Sequence, residues 1–151
     1  MKKVVAAVIG MVAVLAFVSC DLLNPAKPRI MVLTAMEDNE NQFFDFGHEQ
    51  LIDFGKTQAN VAIDKTFKVR NVGDAQLTIE SVTPGTSQTV FSVVGDPIEN
   101  RVLLPDQEIS FVVQFLSDHV DDHDTVLIIP NDDPDASDFF LRLSATVEHT
   151  E

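Results

Sequence analysis

The feature that most constrains the fold is a two-residue period in side-chain polarity, which recurs along the chain after about residue 29. In the clearest segment, from Ile109 to Phe115, every second side chain is large and apolar, as in a strand with one buried face. Clusters of Gly, Pro, Asn and Asp separate such segments and favour turns. No segment after residue 20 sustains a helical period, so we predict an all-β chain, an antiparallel sandwich of about seven strands. The predicted strands are 29–33, 66–71, 77–80, 90–94, 109–115, 125–129 and 139–147.

The first part of the chain indicates an export signal. A charged start, Met1–Lys3, precedes an apolar run, Val4–Val18, and the small residue Ser19 follows it. As a helix, the apolar run would span roughly 22 Å at about 1.5 Å per residue, which is short of the ~30 Å hydrocarbon core of a bilayer. Residues 1–19 are therefore predicted to be a cleaved signal peptide and not a membrane-spanning helix.

The single cysteine of the chain, Cys20, stands where this signal would end. The segment Phe17–Cys20 resembles a bacterial lipobox, with a small residue before the cysteine and phenylalanine where leucine is usual. The resemblance implies that Cys20 carries a lipid, becomes the mature N-terminus and begins a tether over residues 20–28. Two or three acyl chains, at ~0.8 kcal/mol per buried methylene, would hold the protein on a membrane of the bacterial cell envelope, on its periplasmic or surface face. The alternative is an ordinary cleaved signal followed by an incidental cysteine.

The charge balance argues against several classes of partner. The sequence has 24 acidic and 10 basic residues and a formal net charge of −14 at pH 7, whereas nucleic acid and anionic lipid surfaces are bound by clusters of Lys and Arg. Nucleic acid is therefore not expected as a partner. Disorder is not expected either, because eleven phenylalanines and many aliphatic residues can fill a core. Trp and Tyr, which dominate many binding hot spots, are absent from the sequence.

Six segments follow one another in an informative order: DFGKTQ (53–58), FKVRNVGDAQLTIESV (67–82), FSV (91–93), LLPDQEISFVVQF (103–115), VLIIPND (126–132) and FFLRLSA (139–145). Together they resemble the immunoglobulin-like modules of the hydin and abnormal-spindle type, called choice-of-anchor D domains in bacteria. The resemblance covers residues 29–148, with 149–151 as a tail, and implies an Ig-like sandwich that serves as a non-catalytic binding or spacer module. It also implies that Asn131 and Asp132 bond backbone amides where the penultimate strand leaves its sheet. Ala145 stands where the family usually has glycine.

Fragments of catalytic motifs are present but incomplete. His48–Ile52 begins like the zinc-protease motif HExxH but lacks its second histidine, and a hydrolytic zinc needs three protein ligands. The triplets 45–47 and 53–55 match the magnesium-binding DFG of kinases, but the other kinase motifs are missing. Phe46 and Phe54 are instead predicted to fill the core, with glycine relaxing the turn after each. No nucleophile elbow is present, so neither an enzyme nor a cofactor is predicted.

An acidic run, SDHVDDHDTV at 117–126, raises the question of a metal site. Calcium takes six to eight oxygens, usually around a glycine turn that is missing here, and the two histidines would share a face only on a helix. A solvated hairpin loop is therefore the prediction for this run. The weak candidates for metal ligands are Asp118, His119, Asp121, Asp122, His123 and Asp124.

Two functions remain open from the sequence. The first is binding to, or assembly with, another envelope protein through the loops or a sheet edge of a lipid-anchored module. The second is a ligand- or divalent-metal-binding module that uses the acidic loops. The oligomeric state is not determined by any of these features.

Overall fold

A computed structural model of the chain describes residues 25–36, 39–85, 90–96 and 98–149. The described part is all-β, as predicted, and it contains no helix that is long enough and apolar enough to cross a membrane. The predicted signal peptide, Cys20 and the first part of the predicted tether lie outside the described residues.

Eleven strands make up the described part, where the sequence predicts about seven. Each of the seven predicted segments overlaps one of them, so their existence is confirmed. The strands are β1 (Ile30–Met36), β2 (Asn39–Phe46), β3 (Leu51–Gln58), β4 (Ile63–Asn71), β5 (Leu77–Ser81), β6 (Thr83–Pro84), β7 (Phe91–Val94), β8 (Glu99–Leu103), β9 (Glu108–Phe115), β10 (Asp122–Pro130) and β11 (Asp138–Glu148).

The four strands that the sequence does not predict lack a clear two-residue period. β2 begins in polar sequence, β6 has two residues, and the first four side chains of β8 are all exposed. β3 does alternate at first, with Ile52 and Phe54 buried, but Gly55 then interrupts the period. These strands form because neighbouring strands pair with them, and that pairing leaves no local mark on the sequence.

Gly55 forms a β-bulge in β3. The strand pairs with β11, and the register moves from Asp53 opposite Ser144 to Lys56 opposite Thr146, which leaves one extra residue on β3. Gly55 has a φ of 86°, a left-handed backbone that glycine adopts without strain. Its N–H donates to the Asp53 carboxylate at 2.8 Å. This glycine therefore serves a bulge and not the turn that the sequence suggests.

The strands form two sheets that face each other. One sheet has five antiparallel strands in the order β2-β1-β4-β9-β7. The other has the order β3-β11-β10-β6, and the pair β5-β8 extends it through a bridge between Ile79 of β5 and Asn131 after β10. Within the described residues every strand pair is antiparallel except β3 with β11, which run in the same direction. The predicted antiparallel sandwich is confirmed apart from this parallel pair.

Phenylalanines from both sheets fill the space between them. Phe54 of β3 contacts Phe91 of β7 with ring centroids 5.3 Å apart, and Phe91 contacts Phe115 of β9 at 4.9 Å. Phe67 of β4 stacks on Phe111 of β9 at 5.4 Å. All of these rings are buried. The chain's own side chains therefore close the core, and the loops, edges and outer faces are left for function.

The central strand β9 has the two faces that its sequence predicts. Phe111 and Val113 are buried between the sheets, whereas Val112 and Gln114 lie half-buried on the opposite face. Gln114 donates a hydrogen bond to the exposed Asp64 carboxylate of β4 at 3.0 Å. The two faces of one strand thus provide a matched pair of positions for testing the register.

Replacing Phe111 with alanine is expected to lower the free energy of unfolding by about 3–5 kcal/mol, because a cavity is left against Phe67. Gln114→Ala removes a hydrogen bond at the surface and is expected to cost less than about 1 kcal/mol. Urea unfolding of the two variants measures the difference. Similar losses at both positions would show that the register of β9 is wrong.

Candidate functional site

The two ends of the sandwich carry different chemistry. Ile30 at the start of β1 lies opposite Asn71 at the end of β4, and we call this the N-terminal end. Ile63 at the start of β4 lies opposite Phe115 at the end of β9, and we call this the distal end. The acidic run follows β9 and therefore lies at the distal end.

A buried asparagine organises the N-terminal end. The Nδ2 group of Asn71 donates to the carbonyls of Ala75 at 2.7 Å and Leu103 at 2.9 Å. Its Oδ1 accepts the N–H of Gly73 at 3.0 Å and that of Arg29 at 3.4 Å. The side chain is fully buried, which is tolerated because its donors and its acceptor are all paired. One amide thus joins the end of β4, the end of β8 and the segment that leads into β1.

Gly73 lets that leading segment lie directly against the turn after β4. A Cβ on Gly73 would overlap the Lys27 carbonyl oxygen and come within 2.5 Å of the Arg29 nitrogen. The Lys27 N–H donates to the Asp74 carboxylate at 2.7 Å, and the Val72 N–H donates to the Arg29 carbonyl at 2.9 Å. The last part of the predicted tether is therefore bonded to the fold, and the Asn-x-Gly turn sets the place where the chain enters the sandwich.

A second asparagine repeats this arrangement after β10. Asn131 accepts the N–H of Asp133 at 2.9 Å through Oδ1, and its Nδ2 donates to the carbonyls of Ile129 and Ala136. The neighbouring Asp132 carboxylate accepts the N–H of Thr78 in β5 at 2.7 Å. The prediction that Asn131 and Asp132 bond backbone groups at this turn is confirmed.

Asp133, to which the sequence assigns no separate role, ties this turn to the other sheet. Its carboxylate is buried and accepts the N–H of Ile30 in β1 at 2.9 Å and that of Asp135 at 2.9 Å. A buried carboxylate needs donors of this kind, because leaving it without partners would be costly. The start of β1 is thus held by the Asn71 turn on one side and by Asp133 on the other.

A groove of about 610 Å³ runs along this seam between the leading segment and the two turns. The Asp133 carboxylate within it is already bonded to two backbone N–H groups. Its lining, which belongs wholly to the described residues, includes no Ser, Cys or His, so the nucleophile and base of common hydrolytic sites are missing there. The lining residues are Lys27–Ile30, Val72–Asp74, Asp133, Asp135 and Ala136.

The acidic run at the distal end is not the open hairpin loop that its sequence predicts. β10 begins at Asp122, so residues 122–124 pair with residues 144–146 of β11. The connection proper is 116–121, and it joins β9 in one sheet to β10 in the other. It is therefore a crossover between sheets and not a hairpin. Charged residues at an exposed strand end show no apolar period, which is why the sequence places the start of β10 too late.

Strand geometry separates the candidate metal ligands of this run. Asp122 and Asp124 are exposed on the outer face of β10, whereas His123 between them faces inward, with its ring 5.4 Å from that of Phe115. Asp122 accepts the hydroxyl of Thr146 at 2.7 Å. His123 therefore lies on the opposite face of the strand from the two carboxylates.

The other candidate ligands lie in the crossover. Asp118 and His119 are exposed and contact each other through Oδ1 and Nδ1, and Asp121 accepts the N–H of the following residue at 2.8 Å. Across the part of the chain that the structure describes, no group of three or more His, Cys, Asp or Glu side chains is arranged to hold a metal ion. The six candidates therefore do not form a common site in this geometry.

One ion pair links β3 to β11 near the distal end. Lys56 and Glu148 are hydrogen-bonded and exposed. The hydrogen bond that the Lys56 ammonium donates to the Glu148 carboxylate, reinforced by the charge of Glu148, raises the pKa of Lys56. Exposed pairs of this kind contribute little to stability.

The residues that resemble catalytic motifs serve the fold. His48 accepts the N–H of Phe140 through Nδ1 at 3.2 Å, and its ring contacts those of Phe139 and Phe140. It therefore connects the turn between β2 and β3 to β11. Phe54 is buried in the core as predicted, and the side chain of Phe46 lies outside the described residues.

The outer face of the β3-β11-β10 sheet carries a surface that the sequence does not single out. Cross-strand register places Val126 of β10, Arg142 of β11 and Leu51 of β3 in one row, and Ile128 and Phe140 in the next. Leu51 is 57% exposed, Arg142 is exposed, and the other three are half-buried. We call these five residues the β10–β11 face. The one sequence signal for it is in β11, where Phe140 and Arg142 alternate with buried residues.

The sequence matches the family model described as HYDIN/CFA65/VesB-like, Ig-like domain over residues 44–146. This match confirms the hydin-like resemblance and the Ig-like fold that it implies. A search of curated proteins finds no match to the sequence. The choice-of-anchor D assignment and the lipoprotein assignment stay predictions.

Solved structures share the fold at low sequence identity. The ASH/PapD-like domain 7 of human CEP192 has a TM-score of 0.60 at 9% identity, with 100% of both chains covered. The Vibrio cholerae VesB protease has a TM-score of 0.54 at 15% identity, covering 67% of this chain and 31% of the protease. A protein of unknown function from Porphyromonas gingivalis W83 has a TM-score of 0.53 at 14% identity, covering 82% and 65%. Likeness at these identities shows the fold alone.

Replacing Asp121, Asp122 and Asp124 together with asparagine tests the metal alternative. Without a bound ion, the variant is expected to melt at the same or a slightly higher temperature at low salt, because like charges repel, and the gain should fade as salt rises. A structural metal would instead stabilise the parent, by about 2.7 kcal/mol at a hundredfold excess over its Kd. Parent and variant are melted with calcium, with zinc and with chelator. A chelator-sensitive melt in the parent that is lost in the variant would contradict the expectation.

Proposed function

We propose, since this chain belongs to the HYDIN/CFA65/VesB-like family of Ig-like domains, that it is a non-catalytic protein-interaction module. A lipid on Cys20 holds the module on a membrane of the bacterial cell envelope. Its partner is another envelope protein, and nucleic acid is not a partner. The Ig-like and PapD-like folds of its family and structural neighbours are typically non-catalytic, which supports this assignment.

Two features support a non-catalytic role. The space between the sheets is filled by phenylalanine and aliphatic side chains, and a substrate pocket would need that space in a sandwich of this size. The groove at the N-terminal end has carboxylates in its lining, but the buried one, Asp133, is committed to backbone donors. VesB is a protease, but this chain covers only 31% of it, so that activity is not carried over to this chain.

The main structural support for the interaction role is the β10–β11 face. Its five residues are brought together by cross-strand pairing: Leu51 and Arg142 are exposed, whereas Val126, Ile128 and Phe140 are half-buried, with the Phe140 ring against His48. Apolar surface that is contiguous and rimmed by polar residues marks interaction sites, whereas isolated exposed apolar residues are ordinary. Other large apolar side chains that are more than 40% exposed lie elsewhere on the domain: Val61, Val102, Leu104, Leu116 and Val120.

The bonded N-terminal segment supports a defined orientation on the membrane. With the lipid on Cys20, residues 20–26 would separate it from Lys27, the first residue bonded to the turn after β4. At about 3.5 Å per extended residue, that tether reaches roughly 25 Å, so the domain stays close to the bilayer. Its N-terminal end then faces the membrane, and the acidic distal end points away from anionic headgroups.

Cys20→Ala is expected to abolish labelling by radioactive palmitate and to leave the precursor uncleaved, because the chain has no other cysteine to carry the lipid. Ser19→Ala is the matched control, since it keeps a small residue before Cys20 and should be labelled like the parent. Labelling of cells followed by gel separation measures both effects. Equal labelling of the Cys20 variant and the parent would contradict the anchor.

The interaction role itself is tested by capture from envelope extract with the lipidated protein. The expected result is a discrete envelope protein that co-purifies with the parent at a fixed ratio and survives a salt wash. A heat-unfolded sample of the same protein is the control for non-specific capture. Recovery of the chain alone from both folded and unfolded samples would contradict the proposed function.

A further inference from the structure

We propose that the β10–β11 face docks a partner segment whose apolar side chains flank a single carboxylate, and that this carboxylate pairs with Arg142. The inference rests on the proposed interaction function and goes beyond it by naming the surface and the chemistry of the partner. The segment is taken to belong to another protein and not to a second copy of this chain.

The apolar residues of the face lie in two adjoining rows around Arg142. On antiparallel strands, residues directly opposite have Cβ atoms about 4.5–5.5 Å apart, so Val126 and Arg142 are neighbours. The register of β11 with β3 places Leu51 on the other side of Arg142, which completes a row across three strands. Ile128 and Phe140 form the adjoining row. Arginine is among the residue types that dominate binding hot spots, and phenylalanine is enriched at the cores of interfaces.

Arg142 lies in the middle of this surface and has no charged partner among the residues that the structure describes. Two other arginines of the domain are paired, Arg70 with Asp106 and Arg101 with Asp96, at 2.9 and 3.1 Å. No carboxylate of the described residues lies within ion-pair distance of the Arg142 guanidinium, and no described group accepts a hydrogen bond from it. Arg142 is exposed, so its donors are accessible to water.

A partner that covers the face would change the solvation of Arg142. Val126 and Leu51 flank Arg142 in its row, so a partner that buries these two apolar side chains also removes water from the guanidinium between them. A buried charge without a counter-charge opposes binding strongly. A carboxylate removes this penalty best, because the planar guanidinium matches it with two parallel hydrogen bonds. A partner that brings a carboxylate to Arg142 is therefore favoured over one that covers the face with apolar groups alone.

The neighbouring row limits how many carboxylates the partner can carry. Asp124 and Asp53 flank Ser144 in the row next to Arg142, on the side toward the distal end. They repel further acidic groups on that side, so one carboxylate is favoured and an acidic stretch is not. The net charge of −14 likewise opposes close approach of a second copy. A single carboxylate among apolar residues is the chemistry that fits both constraints.

The test is a selection of random displayed peptides on the full-length lipidated protein in detergent micelles. Enriched peptides are synthesised, and their Kd is measured for the parent, Arg142→Gln and Leu51→Ser. The matched controls are Arg101→Gln and Val102→Ser, because Val102 is 53% exposed and lies with Arg101 on β8, away from the face. Thermal unfolding of each variant confirms that the exposed substitutions leave the fold intact.

The expected peptides carry one Asp or Glu between apolar residues. Their Kd should rise at least tenfold with Arg142→Gln or Leu51→Ser and less than twofold with either control. Replacing the peptide carboxylate with an amide should raise the Kd for the parent by the same factor and change the Kd for Arg142→Gln little. This is the result that a double-mutant cycle gives when the two groups interact with each other.

Three results would overturn the inference: no enriched peptide, enriched peptides that bind Arg142→Gln as tightly as the parent, or self-association of the chain that Arg142→Gln abolishes. The capture experiment separates this failure from failure of the proposed function. An envelope partner captured equally by the parent and by Arg142→Gln would support the interaction role and show that the β10–β11 face is not where the partner binds. Peptides whose binding depends on Arg142, with no partner captured from the envelope, would support the β10–β11 face as a docking site and contradict the proposed function.

Discussion

Two buried asparagines hold the sandwich together at the end where the chain enters it. Asn71 and Asn131 each accept the N–H of the residue two positions later, and each gives both of its N–H donors to carbonyls of the surrounding backbone. Without them, these backbone groups would be buried unpaired at about 1–3 kcal/mol each. Against a typical domain stability of about 5–15 kcal/mol, the loss of one such turn is a large fraction. Asp133 adds the link between sheets by binding Ile30.

These turns also fix where the chain enters the sandwich relative to its other surfaces. The turn after β4 bonds the segment before β1 at Lys27 and Arg29, and Asp133 bonds Ile30, so the place where the chain enters the sandwich is fixed. The remaining surfaces are then oriented relative to that point, with the acidic run at the far end and the β10–β11 face on the side. The space between the sheets is filled by side chains, so the outer faces, loops and edges are the surfaces that remain accessible.

Local sequence predicts the features that depend on local patterns. Strands with one buried face, such as β9, are visible from their period, and the Asn131 turn is predicted from the family resemblance. Features that depend on distant pairing are not predictable in this way. Leu51, Val126 and Arg142 meet because three strands pair in one register, and no segment of sequence contains all three. The start of β10 at Asp122 and the bulge at Gly55 are likewise set by the pairing with β11.

The central claim is that the turn after β4 and the Asp133 carboxylate together hold the start of β1. Native-state amide hydrogen exchange at Ile30 tests it most directly, because that N–H donates to Asp133. We expect strong protection of this amide in the parent, a marked loss in Gly73→Ala, whose new Cβ meets the leading segment, and no change in Gly47→Ala, whose Cβ meets nothing closer than 3.9 Å. Fast exchange at Ile30 in the parent, or equal protection in all three proteins, would contradict the account.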